Sequence, residues 1–299
     1  MSSLRMLPSL LLCSMAVSCG GQTGATCTTD EECPSHFCKA DGTCGEAEID
    51  AGDGSADAPG DGMSGLCTPN HDGMIALAEL PLVAGRSAKF RIATNAMWDT
   101  AGTSQGSGSR VWNLAGQLAN DSDETIALAN PMGTWWKADF PTATYAAPLA
   151  AGSDLQGVFL VDSTGVTMLG VVSPQGGTYK TELEYDPPAR ILAVPFMAGS
   201  TWSTTSTVSG YAQGVIVAYT EKYESRVDQV GTMTTPYGDF PAMRVATDLT
   251  RTSGLALLLS KRSFAWVAEC FGSVATVQSK DFESSSEFSE AAEVRRLAP

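Results

Sequence analysis

Histidine is almost missing from this chain. His36 and His71 are the only two in 299 residues. That scarcity excludes His-Glu-x-x-His zinc chemistry, and no Gly-x4-Gly-Lys-Ser/Thr phosphate loop occurs either. It also disarms Gly102-Thr103-Ser104-Gln105-Gly106. This stretch has the spacing of a nucleophile elbow, but the elbow needs a histidine base later in the chain, and both histidines precede it. We therefore read a surface loop there. Positive charge is also short: 18 Lys and Arg face 33 Asp and Glu, a net charge of −15. Such a chain repels phosphate backbones and anionic lipid surfaces, which argues against nucleic acid and polybasic membrane docking as partners. No uncharged apolar run long enough to span a bilayer as a helix follows the N-terminus, and no capped stretch of helical period exceeds about three turns.

What is present begins at the N-terminus. Arg5 precedes an apolar run, Met6 to Val17, too short to span a membrane but suited to a signal peptide. The run closes on Ala16-Val17-Ser18-Cys19. This stretch resembles the lipobox of bacterial lipoproteins, in which cleavage leaves a lipidated N-terminal cysteine. The resemblance implies a signal peptide over 1–18, lipid on Cys19 and a membrane anchored to the protein through it. One acyl chain holds a membrane only marginally; the three of this class would hold it firmly. Gly20 stands where an Asp usually marks inner-membrane retention, which implies the outer membrane, on its periplasmic or surface face.

Cysteine arithmetic agrees. Of eight cysteines, Cys13 leaves with the signal peptide and Cys19 takes the lipid, which leaves six: Cys27, Cys33, Cys38, Cys44, Cys67 and Cys270. An even set suits an oxidising compartment. After a leash over 19–26, four of them fall within 27–45, a segment too small to bury a core and so one that needs covalent staples. Zinc is disfavoured although His36 lies among the thiols, because the Cys-x2-Cys knuckle is missing. Four cysteines allow three pairings, and the residues alone leave them open. The spacing resembles the dickkopf- or colipase-like cysteine knots near the N-termini of secreted myxobacterial proteins. That resemblance implies Cys27–Cys38 and Cys33–Cys44, leaving Cys67 to pair with Cys270.

Residues 46–66 form an acidic linker with Glu46, Glu48, Asp50, Asp53, Asp57 and Asp61 and no base. Such a segment repels itself and cannot bury enough surface to order. It lacks the alternate ligands and closing Glu of a calcium loop, so a solvated spacer is the reading.

From Cys67 to Pro299 the pattern changes to period two, a β domain that could divide into 67–190 and 191–299. Tyr179, Thr181, Leu183 and Tyr185 alternate with Lys180, Glu182 and Glu184. Val215 to Val227 sets Tyr219, Tyr223 and Val227 against Lys222, Glu224 and Arg226, and Met243, Val245, Thr247 and Leu249 oppose Arg244 and Asp248. The acids of these segments are accordingly placed on polar faces. Phe264 to Phe271 is apolar on both faces and reads as a central strand. Pro174 to Gly177, Asp186-Pro187-Pro188 and Pro236 to Asp239 read as turns. The expected class is mainly β, an antiparallel curved sheet forming an open barrel or sandwich.

No catalytic constellation emerges. Two carboxylates could serve a glycosidase, but no pair stands out. His71 reads as a residue at the start of the domain, and Trp135-Trp136 as packing rather than as a sugar-stacking platform. The layout Phe196 to Trp202, Val230 to Val245, Phe264 to Val277 resembles that of secreted β-meander proteins, some of them similar to the curved-sheet proteins of lipoprotein localisation. The resemblance spans roughly Pro195 to Ser279 and implies a strongly curved sheet able to enclose an apolar groove, with Cys270 as a departure. No cofactor or metal is expected. The first-ranked function is non-catalytic binding of an apolar, glycan or envelope ligand; the second is a histidine-free, carboxylate-dependent hydrolase; the third is a structural surface protein. Oligomeric state is not legible.

Overall fold

Alternation of side chains between two faces builds nearly the whole domain. The structure, a computed structural model, describes residues 67–106 and 108–299. The signal peptide, the anchor at Cys19, the leash, the four-cysteine module with its pairings, and the acidic linker lie outside the described residues. Those described fall in one compact unit, Gly62–Pro299.

The strands in chain order are β1 (Met74–Ile75), β2 (Ser87–Met97), β3 (Thr103–Ser104), β4 (Ser109–Asn113), β5 (Ser122–Ala127), β6 (Tyr145–Pro148), β7 (Gln156–Asp162), β8 (Gly165–Val172), β9 (Glu182–Ala193), β10 (Phe196–Met197), β11 (Thr201–Ala212), β12 (Val215–Thr234), β13 (Asp239–Ser253), β14 (Ala256–Ala268), β15 (Gly272–Ser279) and β16 (Glu290–Leu297). Among the described residues the one helical element is a 3-10 turn, Leu77–Glu79. Twelve strands form a continuous path, β5-β2-β16-β15-β14-β13-β12-β11-β9-β8-β7-β6, with β3 and β4 attached beside β12. Its pairs are antiparallel, except that β4 runs parallel to β12. The two ends of the path meet. Ala129, just past β5, exchanges both backbone hydrogen bonds with Ala146 of β6, at 2.7 and 3.0 Å. The sheet is thus nearly closed into a barrel, a shape that removes exposed edges.

Both faces of the sheet are covered. On one face of β13 and β14, Ala242, Ala246, Phe264 and Trp266 pack with Trp112, Leu114 and Phe288. On the outer side of β7 and β8, Trp136 and Phe140 cover Val158, Leu169 and Val172. On the opposite face, Val227, Val245 and Val267 meet Ile75, Leu80 and Phe196 and so plug one end of the interior. Cys67 joins Cys270 at this plug, with Cα atoms 5.2 Å apart, and the Cys270 N–H donates to the Glu79 carbonyl at 2.8 Å.

Three sequence expectations are corrected. Asp186-Pro187-Pro188 does not end a strand. It lies within β9, where the register to β8 jumps from Met168↔Ala189 to Gly170↔Glu184; the proline pair bulges out and the strand resumes. Arg244 is not on a solvated face. It is 1% exposed, its guanidinium clasped by Asp228 (3.0 and 2.8 Å) and Glu287 (3.1 and 2.6 Å) and lying over the Phe264 ring at 4.2 Å. Nor do all acids of the periodic strands face water. Glu221, at the same parity as Tyr219 and Tyr223, points inward and is 1% exposed.

Candidate ligand groove

Above the plug, Met168, Val171, Leu183, Tyr185 and Tyr223 form a further buried cluster, and beside it the interior is incompletely filled. It opens into a groove of about 640 Å³, within the ordinary range for small-molecule sites. Its two walls differ because the strands that supply them differ. The β6–β9 side presents Leu155, Phe159, Met168, Val171, Leu183 and Ile191. The β13–β15 side presents Thr247, Arg251, Lys261, Ser263 and Gln278, with Leu249 and Leu259 among them. Register sets the polar side in rows: Glu221, Arg251 and Leu259 lie abreast, then Tyr223, Leu249 and Lys261, then Ser225, Thr247, Ser263 and Gln278.

Between the walls sits a buried carboxylate, Glu221, with both oxygens hydrogen-bonded. Glu221 Oε2 accepts from the Tyr185 hydroxyl at 2.9 Å and the Tyr223 hydroxyl at 2.6 Å. Its Oε1 accepts from Arg251 Nε at 2.8 Å and Nη2 at 2.7 Å. Arg251 also covers the Tyr219 ring at 4.5 Å, a cation–π contact. Burial works against the Arg251 charge, but Glu221 more than offsets it, and the guanidinium pKa lies above its ordinary value. Lys261 pairs at 3.1 Å with Asp281, which lies outside the groove lining.

The tyrosines shift in one direction. Burial first, then the neighbouring Glu221, pushes the Tyr185 hydroxyl up; burial, then Tyr185 and Glu221, does the same for Tyr223. Burial raises Tyr219 and Tyr145 as well. Folding therefore favours the neutral phenols. The stability they contribute is complete below the ordinary tyrosine pKa near 10 and is lost as pH rises through the folded values. Of seven tyrosines, the buried Tyr145, Tyr185 and Tyr223 should stay un-ionised as pH passes 10, and tyrosinate absorbance from them should appear only together with loss of the β circular-dichroism signal. A single transition of all seven near pH 10 with the fold intact would contradict this.

At the mouth, the tips of the β11–β12 and β13–β14 hairpins carry exposed Val215, Ile216, Leu255, Leu257 and Leu258. Leu259 at the groove and Ala268 beside the plug are nine residues apart on β14, about 30 Å at the usual rise per residue. The mouth and Cys67 thus lie at opposite ends of that strand.

Of the residues singled out by sequence, Cys67 and Cys270 are brought together and belong to the plug. Cys19, Cys27, Cys33, Cys38, Cys44 and His36 lie outside the described residues. His71 is exposed beside Glu269, 3.7 Å from its carboxylate. Thr103 and Ser104 form an exposed two-residue strand against β4. Trp136 is buried, and Trp135 donates its indole N–H to the Ser173 carbonyl at 3.1 Å, which is packing. Glu221, Arg251 and Lys261 were not singled out, whereas Tyr185 and Tyr223 were read only as members of an alternating face. A signal existed for the first, since its parity matches the tyrosines on either side.

No family model matches the chain, and no curated protein sequence matches it. Among solved structures, a crystal structure from Parabacteroides distasonis described as a "putative lipoprotein" is similar at 12% identity and a TM-score of 0.30. The match covers 72% of this chain and 96% of that one. That level of likeness carries neither fold nor function across.

Proposed function

We propose that this protein is a lipid-anchored cell-envelope lipoprotein whose β domain binds an apolar ligand without catalysis. The observation that carries the reading is the open groove above a sealed plug, with one wall of aliphatic and aromatic side chains. Met168, Val171 and Leu183 are buried in the wall, while the partly exposed Leu155, Phe159 and Ile191 cost free energy in water that an apolar guest would recover. The groove lining offers a single carboxylate, Glu221, already saturated by two phenols and a guanidinium. A glycosidase needs two carboxylates across the bond it breaks, so the hydrolase reading is disfavoured. The Cys67–Cys270 bond fits an oxidising compartment, and with it the anchor read at Cys19. An anchor there would place the mouth at the end of β14 away from the point where the linker joins, and the net charge of −15 argues against nucleic acid.

The test is mass spectrometry of the organic extract from the full chain purified from its own membrane. An apolar small molecule should be retained by the wild type and lost when Val171→Trp fills the groove. A wild type carrying nothing would overturn the reading. The anchor is tested separately: Cys19→Ala should move the protein from the membrane to the soluble fraction, and continued membrane association would count against lipid at that residue.

A further inference from the structure

The lining charges say which apolar ligand. Three charged side chains line the groove: Glu221, Arg251 and Lys261. The first two neutralise each other through two hydrogen bonds. Lys261 is left as the charge that can change partners, because its own partner Asp281 is 55% exposed and can return to water at little cost. Around Lys261 the wall supplies neutral donors rather than acids. Ser263 follows it on the same face of β14, and Gln278 is the cross-strand neighbour of Ser263. In a chain of net charge −15, the groove lining thus carries two cations and one carboxylate, opposite a wall of Phe159, Met168, Val171, Leu183 and Ile191.

We infer that the groove takes a single-chain amphiphile of the fatty-acid class, its tail along the β7–β9 wall and its carboxylate at Lys261 Nζ. This rests on the groove-binding reading above and adds the head group to it. A glycan is a poor fit to the apolar wall, since its hydroxyls would lose water there without partners. The volume, about 640 Å³, lies in the range of sites that hold one small molecule.

The test uses calorimetric titration of the Cys19→Ala chain, which needs no detergent, with saturated ten-, twelve- and fourteen-carbon fatty acids below their micelle concentrations. Matched primary alcohols and alkyltrimethylammonium ions serve as the neutral and cationic counterparts. Affinity for the acids should rise about fourfold per added methylene and exceed that for the alcohols by tenfold or more. Lys261→Met should remove that tenfold preference, with an unchanged β circular-dichroism spectrum showing that the variant is folded, and Lys261→Arg should restore it. Equal binding of acid and alcohol with no effect of Lys261→Met would overturn the head-group assignment and leave the groove reading standing. A preference for the cation would overturn it too. No binding by any chain would overturn both.

Discussion

Replacing Glu221 by leucine is expected to lower the unfolding free energy by about 3–5 kcal/mol. The physical cause is not the lost carboxylate itself but what it leaves behind. Tyr185 and Tyr223 are both buried and both donate to Glu221 Oε2. Leucine accepts nothing, so the two phenolic hydroxyls lose their shared acceptor and keep only the bond between themselves, at ~1–3 kcal/mol for a buried donor left unpaired. Arg251 loses less. Its side chain is 34% exposed, so water can solvate much of the charge and the ion-pair contribution must be discounted accordingly. This ordering makes a second result that separates the two effects. Glu221→Leu combined with Tyr185→Phe and Tyr223→Phe removes donors and acceptor together, and most of the loss should return. Equilibrium urea unfolding of the two variants beside the wild type measures both differences. A single variant as stable as the wild type, or a triple variant no better than the single, would show that Glu221 does not hold the tyrosines in this way. Glu221→Gln, which keeps an acceptor, should fall between.

Glu221 also shows where the sequence was readable. Period-two alternation is a local property, so the faces of β12 were legible from Tyr219, Tyr223 and Val227 against Lys222 and Glu224. The error came from sorting Glu221 by residue type when its parity placed it inward. Arg244 has the same origin: an arginine opposite Val245 reads as solvated until Asp228, Glu287 and the Phe264 ring are brought over it by chain 16, 43 and 20 residues away. The bulge at Asp186-Pro187-Pro188 was misread because prolines report local geometry, whereas the continuation of β9 is decided by its pairing to β8. The groove itself had no local signature. Its apolar wall comes from β7, β8 and β9 and its polar wall from β13, β14 and β15, and they face each other only because the sheet curls far enough for Ala129 to meet Ala146. The covering stretches around Trp112 and Trp136 follow no period, so nothing in their sequence reports which face they protect.

Removing the Cys67–Cys270 bond should cost about 5 kcal/mol, the largest single effect expected in the domain. The two cysteines are 203 residues apart in sequence, so the bond closes nearly the whole domain into one loop and strongly restricts the unfolded chain. Loop entropy grows only as the logarithm of length, which is why so long a loop gains little over one half its size. The native state should change much less. Ile75 and Leu80 stay buried against Val245 and Val267 without the bond, and the Cys270 N–H keeps the Glu79 carbonyl. Double replacement by alanine should therefore preserve the β circular-dichroism spectrum at room temperature while lowering the denaturant midpoint. It should also raise the slope of the transition, because an unfolded chain freed of the crosslink exposes more surface. The slope distinguishes this account from simple damage to the plug, which would lower the midpoint and leave the slope unchanged. If the slope stays fixed, the stabilisation resides in the native contacts around Glu79 and Leu80 rather than in the restricted unfolded chain.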